Sequence, residues 1–140
     1  MGTRGGPFFE NIPTEYLETY FPIVIESYNS IRDSGGAGKH GGGNGVEKIY
    51  RILEPGEVSI HDDRHQSHPW GIRGGKPGAC SAKWLIQGDS GRKPYRQRST
   101  MLRLPGDKII FQTAGAGGWG DPLEQSNELS EKILLADSSD

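Results

Sequence analysis

The densest group of chemically capable side chains lies between residues 61 and 68. It holds three of the four histidines, with two aspartates and an arginine among them. Imidazole and carboxylate groups bind zinc and iron and carry protons in catalysis. Alternate residues of an extended chain share one face, so His61, Asp63 and His65 are candidate metal ligands. The candidate catalytic residues come from the same cluster: His61, Asp63, Arg64, His65 and His68.

The sequence around this cluster also allows a structural interpretation. Neither an HExxH spacing nor a cysteine pair accompanies the histidines, so a metal in this chain is not expected. A polar loop, in which Asp63 holds Arg64 or caps backbone N–H groups, explains the same residues. This structural interpretation is favoured, with catalysis at a subunit interface kept as the alternative.

Three glycine-rich stretches separate the apolar segments. Half of the fourteen residues in 32–45 are glycine, and similar stretches surround Trp70 and Trp119. The run Gly38-Lys39-His40 departs from a phosphate-binding GxxxxGK[ST] loop, because histidine stands where serine or threonine is needed. We therefore predict backbone packing in an interface with a partner. Its predicted residues are Gly35, Gly36, Gly38, Trp70, Gly74, Gly75, Gly117, Gly118 and Trp119.

Composition narrows the class of protein. The chain has 140 residues, 32% of them apolar, with 22 glycines, 9 prolines and a net charge of −2. A folded but core-poor domain that gains burial by association fits these values, and neither nucleic acid nor a membrane is an expected partner. The basic stretch around Tyr95 is interpreted as a solvated loop or a patch for an acidic partner. A single cysteine and the lack of a signal-like apolar run predict a cytoplasmic protein.

Local patterns predict the elements. Strands are expected at residues 22–31, 46–53, 58–61, 82–87, 100–104 and 108–113, with a helical turn at 11–18 and a helix at 126–136. Pro-Gly pairs at 54–57 and 104–107 predict type II turns, each closing a hairpin between its flanking strands. We expect one mainly β domain over residues 1–140, with loose tails at 1–9 and 137–140. Its fold is an antiparallel sheet or partly open barrel with long glycine-rich loops and one short C-terminal helix.

Four segments in order resemble a known family. They are ENIPTEYLETYFP, RDSGGAGKHGGGNGVEKIYRIL, DDRHQSHPWGIRGGKPG and LPGDKIIFQTAGAGGWGDPLE, between Glu10 and Glu124. They resemble the C-terminal part of the hydantoinase B / 5-oxoprolinase family, which includes acetone and acetophenone carboxylase subunits. Because the chain is short and begins with its own Met1, it is similar to the small, separately encoded subunit of the acetophenone carboxylases.

The resemblance implies a function within a hetero-oligomer. The complex would convert acetophenone and bicarbonate to benzoylacetate with ATP, and this chain would complete the hydantoinase B-type module. ATP and bicarbonate would be bound on other subunits, the larger hydantoinase A-type and hydantoinase B-type partners, and the chain alone would be inactive. Two alternatives stay open: the equivalent subunit of an ATP-dependent hydantoinase or 5-oxoprolinase, and a non-catalytic β interaction domain.

Overall fold

The computed structural model describes residues 12–60, 63–88, 91–95 and 100–125, without the side chains of residues 100–103. The chain is mainly β, as predicted. Its elements are α1 (Thr14–Tyr20), β1 (Ile23–Ser30), β2 (Val46–Ile52), β3 (Gly56–Ser59), β4 (Ala82–Ile86), β5 (Lys93–Pro94), β6 (Thr100–Arg103) and β7 (Lys108–Gln112). Residues 122–125 form a short helix near the C-terminus.

The main sheet is open and antiparallel. Its five strands lie in the order β1-β2-β7-β4-β5, and a separate two-stranded sheet pairs β3 with β6. The six predicted strands are confirmed, and β5 is an additional strand of two residues. The last strand of the described residues, β7, lies at the centre of the main sheet. The sheet therefore depends on pairings between distant parts of the sequence.

Both predicted hairpins are wrong. Strand β2 pairs with β1 and β7 instead of β3, and β6 pairs with β3 instead of β7. The turn at 104–107 has the predicted geometry, since Gly106 has a φ of 89° and the Asp107 N–H donates to the Leu104 carbonyl over 3.1 Å. The predicted type II turn at 54–57 is absent, because Gly56 has no positive φ and pairs with Arg103 as the first residue of β3.

The two sheets share one core cluster. Ile109 of β7 pairs with Tyr50 of β2 on one side and with Leu85 of β4 on the other, so β7 lies between two partner strands. Ile52, Ile60, Leu85 and Ile109 form the core cluster, and Val58 of β3 packs against it. The two-stranded sheet thus contributes an apolar side chain to the core cluster of the main sheet.

The core of the described residues is small. Its buried apolar side chains are Ile52, Ile60, Leu85, Ile109 and Ile110. Ile109 and Ile110 are adjacent, so they face opposite sides of the sheet, and they are 4% and 1% exposed. Both faces are therefore covered at the centre of β7, and the core-poor interpretation of the composition is confirmed for this part of the chain.

The helices differ from the predicted ones at their ends. Helix α1 begins after Pro13 and runs to Tyr20, later than the predicted turn at 11–18. The predicted helix at 126–136 and the predicted tails at 1–9 and 137–140 lie outside the described residues. The organisation of 1–140 as a single domain stays a prediction. Across the described ranges, no helix is long and apolar enough to cross a membrane.

Candidate interaction site on the glycine layer

The three glycine-rich stretches meet in one body, here called the glycine layer (residues 34–45, 69–79 and 114–120). Backbone hydrogen bonds join each stretch to the other two. Gly36 N–H donates to the Ala116 carbonyl over 2.8 Å, and Lys76 N–H donates to the Ala37 carbonyl over 2.7 Å. Gly118 N–H donates to the Lys76 carbonyl over 2.9 Å. The stretches are thus ordered by one another within this chain.

Close backbone approach explains why the layer needs glycine. At several positions a β-carbon would overlap a carbonyl oxygen of a neighbouring stretch: Gly36 faces Lys76, Gly42 faces Ala116, Gly75 faces Gly118, Gly115 faces Ser34, Gly117 faces Trp70 and Gly118 faces Ala37. The hydrogen that glycine carries in that direction points at the carbonyl, which is the geometry of a weak Cα–H···O contact. A side chain at these positions would force the stretches apart.

Ser34 fixes the first stretch to the strands beside it. Its side chain is buried, and its Oγ donates to the Ile31 carbonyl over 2.7 Å. The same Oγ accepts the N–H of the buried Gly45 over 2.8 Å, and the Ser34 carbonyl accepts the Ala79 N–H. Sequence reasoning missed this residue. Its signal was a small hydroxyl side chain at the border of a glycine run, where such groups satisfy backbone donors.

Large apolar side chains stand on the outside of the layer. Trp70 is 67% exposed, Ile72 55% and Trp119 40%. The Trp119 backbone is held by a pair of hydrogen bonds with His40, and the two rings lie 5.4 Å apart. Ile72 forms a parallel bridge with Trp119. The structure therefore places the two predicted interface tryptophans on adjoining stretches, while most of the predicted interface glycines pack inside the layer.

An arginine guanidinium lies near the ring of each of these tryptophans. The Arg64 guanidinium lies 4.7 Å from the ring centre of Trp70, and the Arg73 guanidinium lies 5.6 Å from that of Trp119. Both arginines have left-handed backbones, with φ of 64° and 51°. Such conformations cost non-glycine residues about 1–3 kcal/mol and cluster at functional sites. The pairs are a second feature that sequence reasoning missed.

A tight turn sets the position of Arg73. The Gly75 N–H donates to the Ile72 carbonyl over 3.1 Å, which closes a four-residue turn. Its two central residues, Arg73 and Gly74, both have positive φ, as a type I′ turn requires. The sequence signal was Arg-Gly-Gly after an apolar residue, since such turns favour glycine.

The residues of the candidate catalytic cluster make separate contacts. The Asp63 carbonyl accepts the Ser81 hydroxyl over 2.8 Å, and the Arg64 carbonyl accepts the Ser81 N–H over 3.0 Å. His68 Nδ1 lies 2.9 Å from the Gly78 carbonyl, to which it donates in the Nδ1–H tautomer. His61 lies outside the described residues. In the described part, no three histidine, cysteine, aspartate or glutamate side chains are grouped to hold a metal ion. Because His61 lies outside the described residues, the structure does not test His61, Asp63 and His65 as metal ligands.

His65 lines a separate cavity at β4. The cavity has a volume of about 250 Å³. Its lining residues are His65, Gln66, Ser81, Ala82, Lys83, Trp84, Pro94 and Tyr95. Lys83 is buried there at 8% exposure. The arrangement combines an imidazole, an ammonium and a phenol with aromatic surface, and it could admit a small polar molecule.

Charges with shifted pKa values lie on the main sheet. Glu26 Oε2 is 2.8 Å from Lys108 Nζ, and Glu26 Oε1 is 2.8 Å from Arg51 Nε. The hydrogen bond from Lys108, with that from Arg51, holds the pKa of Glu26 below its ordinary value. Burial lowers the pKa of Lys48, whose ammonium lies 4.1 Å from the ring centre of Tyr28.

These features define a mainly β module whose glycine layer presents an aromatic and cationic surface. Residues 4–122 match the Hydantoinase B/oxoprolinase family. The chain belongs to this family, which confirms the family resemblance of its four sequence segments.

Two relatives and two solved structures show the similarity. An uncharacterized protein of Methanocaldococcus jannaschii, MJ0963, is 38% identical over 85% of this chain and 21% of its own length. Caprolactamase subunit beta of Pseudomonas jessenii is 30% identical over 79% of this chain and 20% of its own length. The structure of the ATP-dependent caprolactamase from that organism covers 81% of this chain and 20% of its own chain, at 26% identity and a TM-score of 0.68. Nucleotide-free acetone carboxylase shares the fold, with a TM-score of 0.67 at 22% identity, over 81% of this chain and 19% of its own.

The similarity concerns one part of larger polypeptides. The chain spans between 8% and 21% of the length of the curated relatives it matches. The module is therefore shared among polypeptides of very different total length.

Proposed function

We propose that the chain is the small subunit of an ATP-dependent enzyme complex, in which it completes a hydantoinase B-type module. The family match over residues 4–122 is the observation that carries this proposal. The fold shared with an ATP-dependent caprolactamase and with acetone carboxylase supports it. The small core and the exposed aromatic surface also favour a chain that gains burial by association.

The reaction we propose is the carboxylation of acetophenone. Bicarbonate supplies the new carboxyl group, ATP drives the loss of water, and a carbon–carbon bond forms at the methyl carbon of the ketone to give benzoylacetate. The proposed partners are larger subunits of the hydantoinase A and hydantoinase B types in the cytoplasm. The chain has no catalytic activity alone in this proposal.

The glycine layer supports placing ATP on another subunit. A phosphate-binding loop needs backbone N–H groups that point at the ligand. Here the N–H groups of Gly36, Lys39 and Gly42 donate to the carbonyls of Ala116, Gly120 and Gly36. The stretch with the most glycines, which also contains Lys39, therefore uses these donors for packing within the chain.

Hydrolysis of a cyclic amide is the second candidate function. Caprolactamase subunit beta is 30% identical to this chain, whereas the likeness to acetone carboxylase, at 22% identity, concerns the fold. In this alternative, water replaces the ketone carbon as the nucleophile, and the complex opens a lactam, hydantoin or 5-oxoproline ring.

Reconstitution distinguishes the two reactions. The chain is co-expressed with hydantoinase A-type and hydantoinase B-type subunits, and the purified complex is given ATP with labelled bicarbonate and acetophenone, or with cyclic amides. We expect label in benzoylacetate, and loss of both complex and activity when the chain is omitted. Bicarbonate-independent ring opening would establish the hydrolase instead. A stable monomer that joins no such subunit would establish an independent interaction domain.

A further inference from the structure

We propose that the pairs Arg64–Trp70 and Arg73–Trp119 form a docking surface for carboxylates on the hydantoinase B-type partner subunit. The proposal rests on the proposed function for the identity of that partner. It assigns Arg64 to recognition between subunits and adds Arg73, which stands outside the interface residues expected from sequence.

The first support is the state of the two guanidinium groups. Within the described residues, Arg64 and Arg73 contact tryptophan rings and have no carboxylate partner. By contrast, Arg51 lies 2.8 Å from the Glu26 carboxylate. A guanidinium held near an indole by a cation–π interaction still carries N–H groups in a planar fork, and this fork matches the two oxygens of a carboxylate. The two pairs thus offer guanidinium donors that no carboxylate among the described residues occupies.

The second support is that backbone contacts hold the arginines and tryptophans of the two pairs in position. Both arginines occupy left-handed backbone conformations that their side chains disfavour. The Trp119 backbone is hydrogen-bonded to the His40 backbone. The Trp70 carbonyl lies so close to Gly117 that a β-carbon on Gly117 would not fit. A surface fixed in this way loses little conformational freedom when a partner binds. Tryptophan and arginine are also the residue types most enriched where binding energy concentrates.

The third support concerns what covers the surface. Trp70 and Ile72 are each more than half exposed, and Ile72 is bridged to Trp119, so exposed apolar side chains accompany the two guanidinium groups. This pattern fits a protein surface with carboxylates set in apolar surroundings. A nucleic acid fits less well, because the chain has a net charge of −2. In two relatives, about four-fifths of the polypeptide lies outside the part that this chain matches. The proposed occupant of the surface is the subunit that corresponds to this remaining part.

A competition experiment tests the surface. Wild-type chain and the double variant Arg64→Glu/Arg73→Glu are co-expressed with a limiting amount of tagged hydantoinase B-type subunit. The ratio of the two chains in the purified complex is read by intact-protein mass spectrometry. We expect exclusion of the double variant by about tenfold or more, which corresponds to about 1.4 kcal/mol. The control is Arg92→Glu, whose exposed arginine lies 6.0 Å from the Trp84 ring centre, next to the edge strand β5. It should enter the complex like wild type.

Folding and binding are separated by two further measurements. The thermal transition of each purified variant reports folding, and Arg64→Lys/Arg73→Lys keeps the charge but loses the planar donors. We expect the lysine variant to enter at an intermediate ratio that falls as salt rises. Equal entry of wild type and a folded glutamate double variant overturns the docking surface while the proposed function stands. A wild-type chain that forms no complex overturns both. A homodimer of the chain that the double variant dissociates identifies a second copy as the occupant and also overturns the proposal.

Discussion

The carbonyl oxygen of Ser34 occupies the place that a β-carbon on Gly115 would need. This contact joins the first and third stretches of the glycine layer, which are about eighty residues apart in sequence. It shows that the layer is a packed interior built from backbone. Its tolerance of side chains should therefore resemble that of a close-packed core.

Gly115→Ala should destabilise the chain strongly. The added methyl group meets the Ser34 carbonyl, and overpacking of this kind costs about 1–3 kcal/mol or more. The matched control is Gly41→Ala in the same layer, where a β-carbon meets no atom within 4 Å. Urea denaturation should place Gly41→Ala within about 0.5 kcal/mol of wild type. Equal unfolding free energies for the two variants would show that the layer is loosely packed.

Ser34→Ala should also destabilise the fold. The variant leaves the buried Gly45 N–H without its acceptor, a loss of about 1–3 kcal/mol. Ser67→Ala is the control, because Ser67 is exposed. Thermal unfolding followed by circular dichroism compares the two. A transition of Ser34→Ala that coincides with wild type would contradict the assigned hydrogen bond.

Substitutions at Arg73 test the left-handed turn. Arg73→Gly and Arg73→Ala both remove the contact with Trp119, but glycine alone relieves the positive φ. Arg73→Gly should therefore be more stable than Arg73→Ala by about 1 kcal/mol in the free energy of unfolding. Alanine as the more stable of the two would mean that this residue does not adopt the left-handed conformation in solution.

Glu26→Gln tests the ion cluster on the main sheet. Since the pKa of Glu26 is lowered in the folded state, its stabilising effect is complete above the ordinary value of 4.5 and disappears as pH falls through the lower, folded value. We expect the variant to be less stable at neutral pH, by at most about 1 kcal/mol for a partly exposed pair. Wild type and variant should converge in acid. Glu54→Gln, at an exposed residue outside this ion cluster, is the control, and a constant gap for Glu26→Gln across pH would contradict the assignment.

Strand positions were readable from sequence, and strand partners were not. Short apolar runs such as 46–53 and 108–113 reveal extended segments because the pattern is local. The Pro-Gly pair at 105–106 correctly predicted a type II turn, but a turn fixes the direction of the chain and not the sheet that each strand joins. The core cluster contains Ile109 of β7 and is covered in part by Val58 of β3, so it joins residues that are far apart in sequence.

The candidate site was readable in part for a similar reason. Trp70 and Trp119 were recognisable because aromatic side chains in glycine surroundings are unusual, and the structure shows both on the outer surface. Their arginine partners were not recognised, since the positive φ of Arg64 follows from contacts that no local pattern encodes. Glycine has no side chain and hence no hydrophobic period, so the mutual packing of the three stretches was also hidden.

The central position of β7 has a consequence for synthesis on the ribosome. Strands β2 and β4 have no hydrogen-bonded contact with each other, because β7 lies between them and joins them. The third glycine stretch follows β7 directly, so the sheet centre and the final third of the layer leave the exit tunnel together. Until then β2, β4 and the first two glycine stretches of the nascent chain lack these partners. Protection of the nascent chain by a chaperone, or rapid capture by a partner subunit, would therefore matter most until β7 and the third glycine stretch have been synthesised.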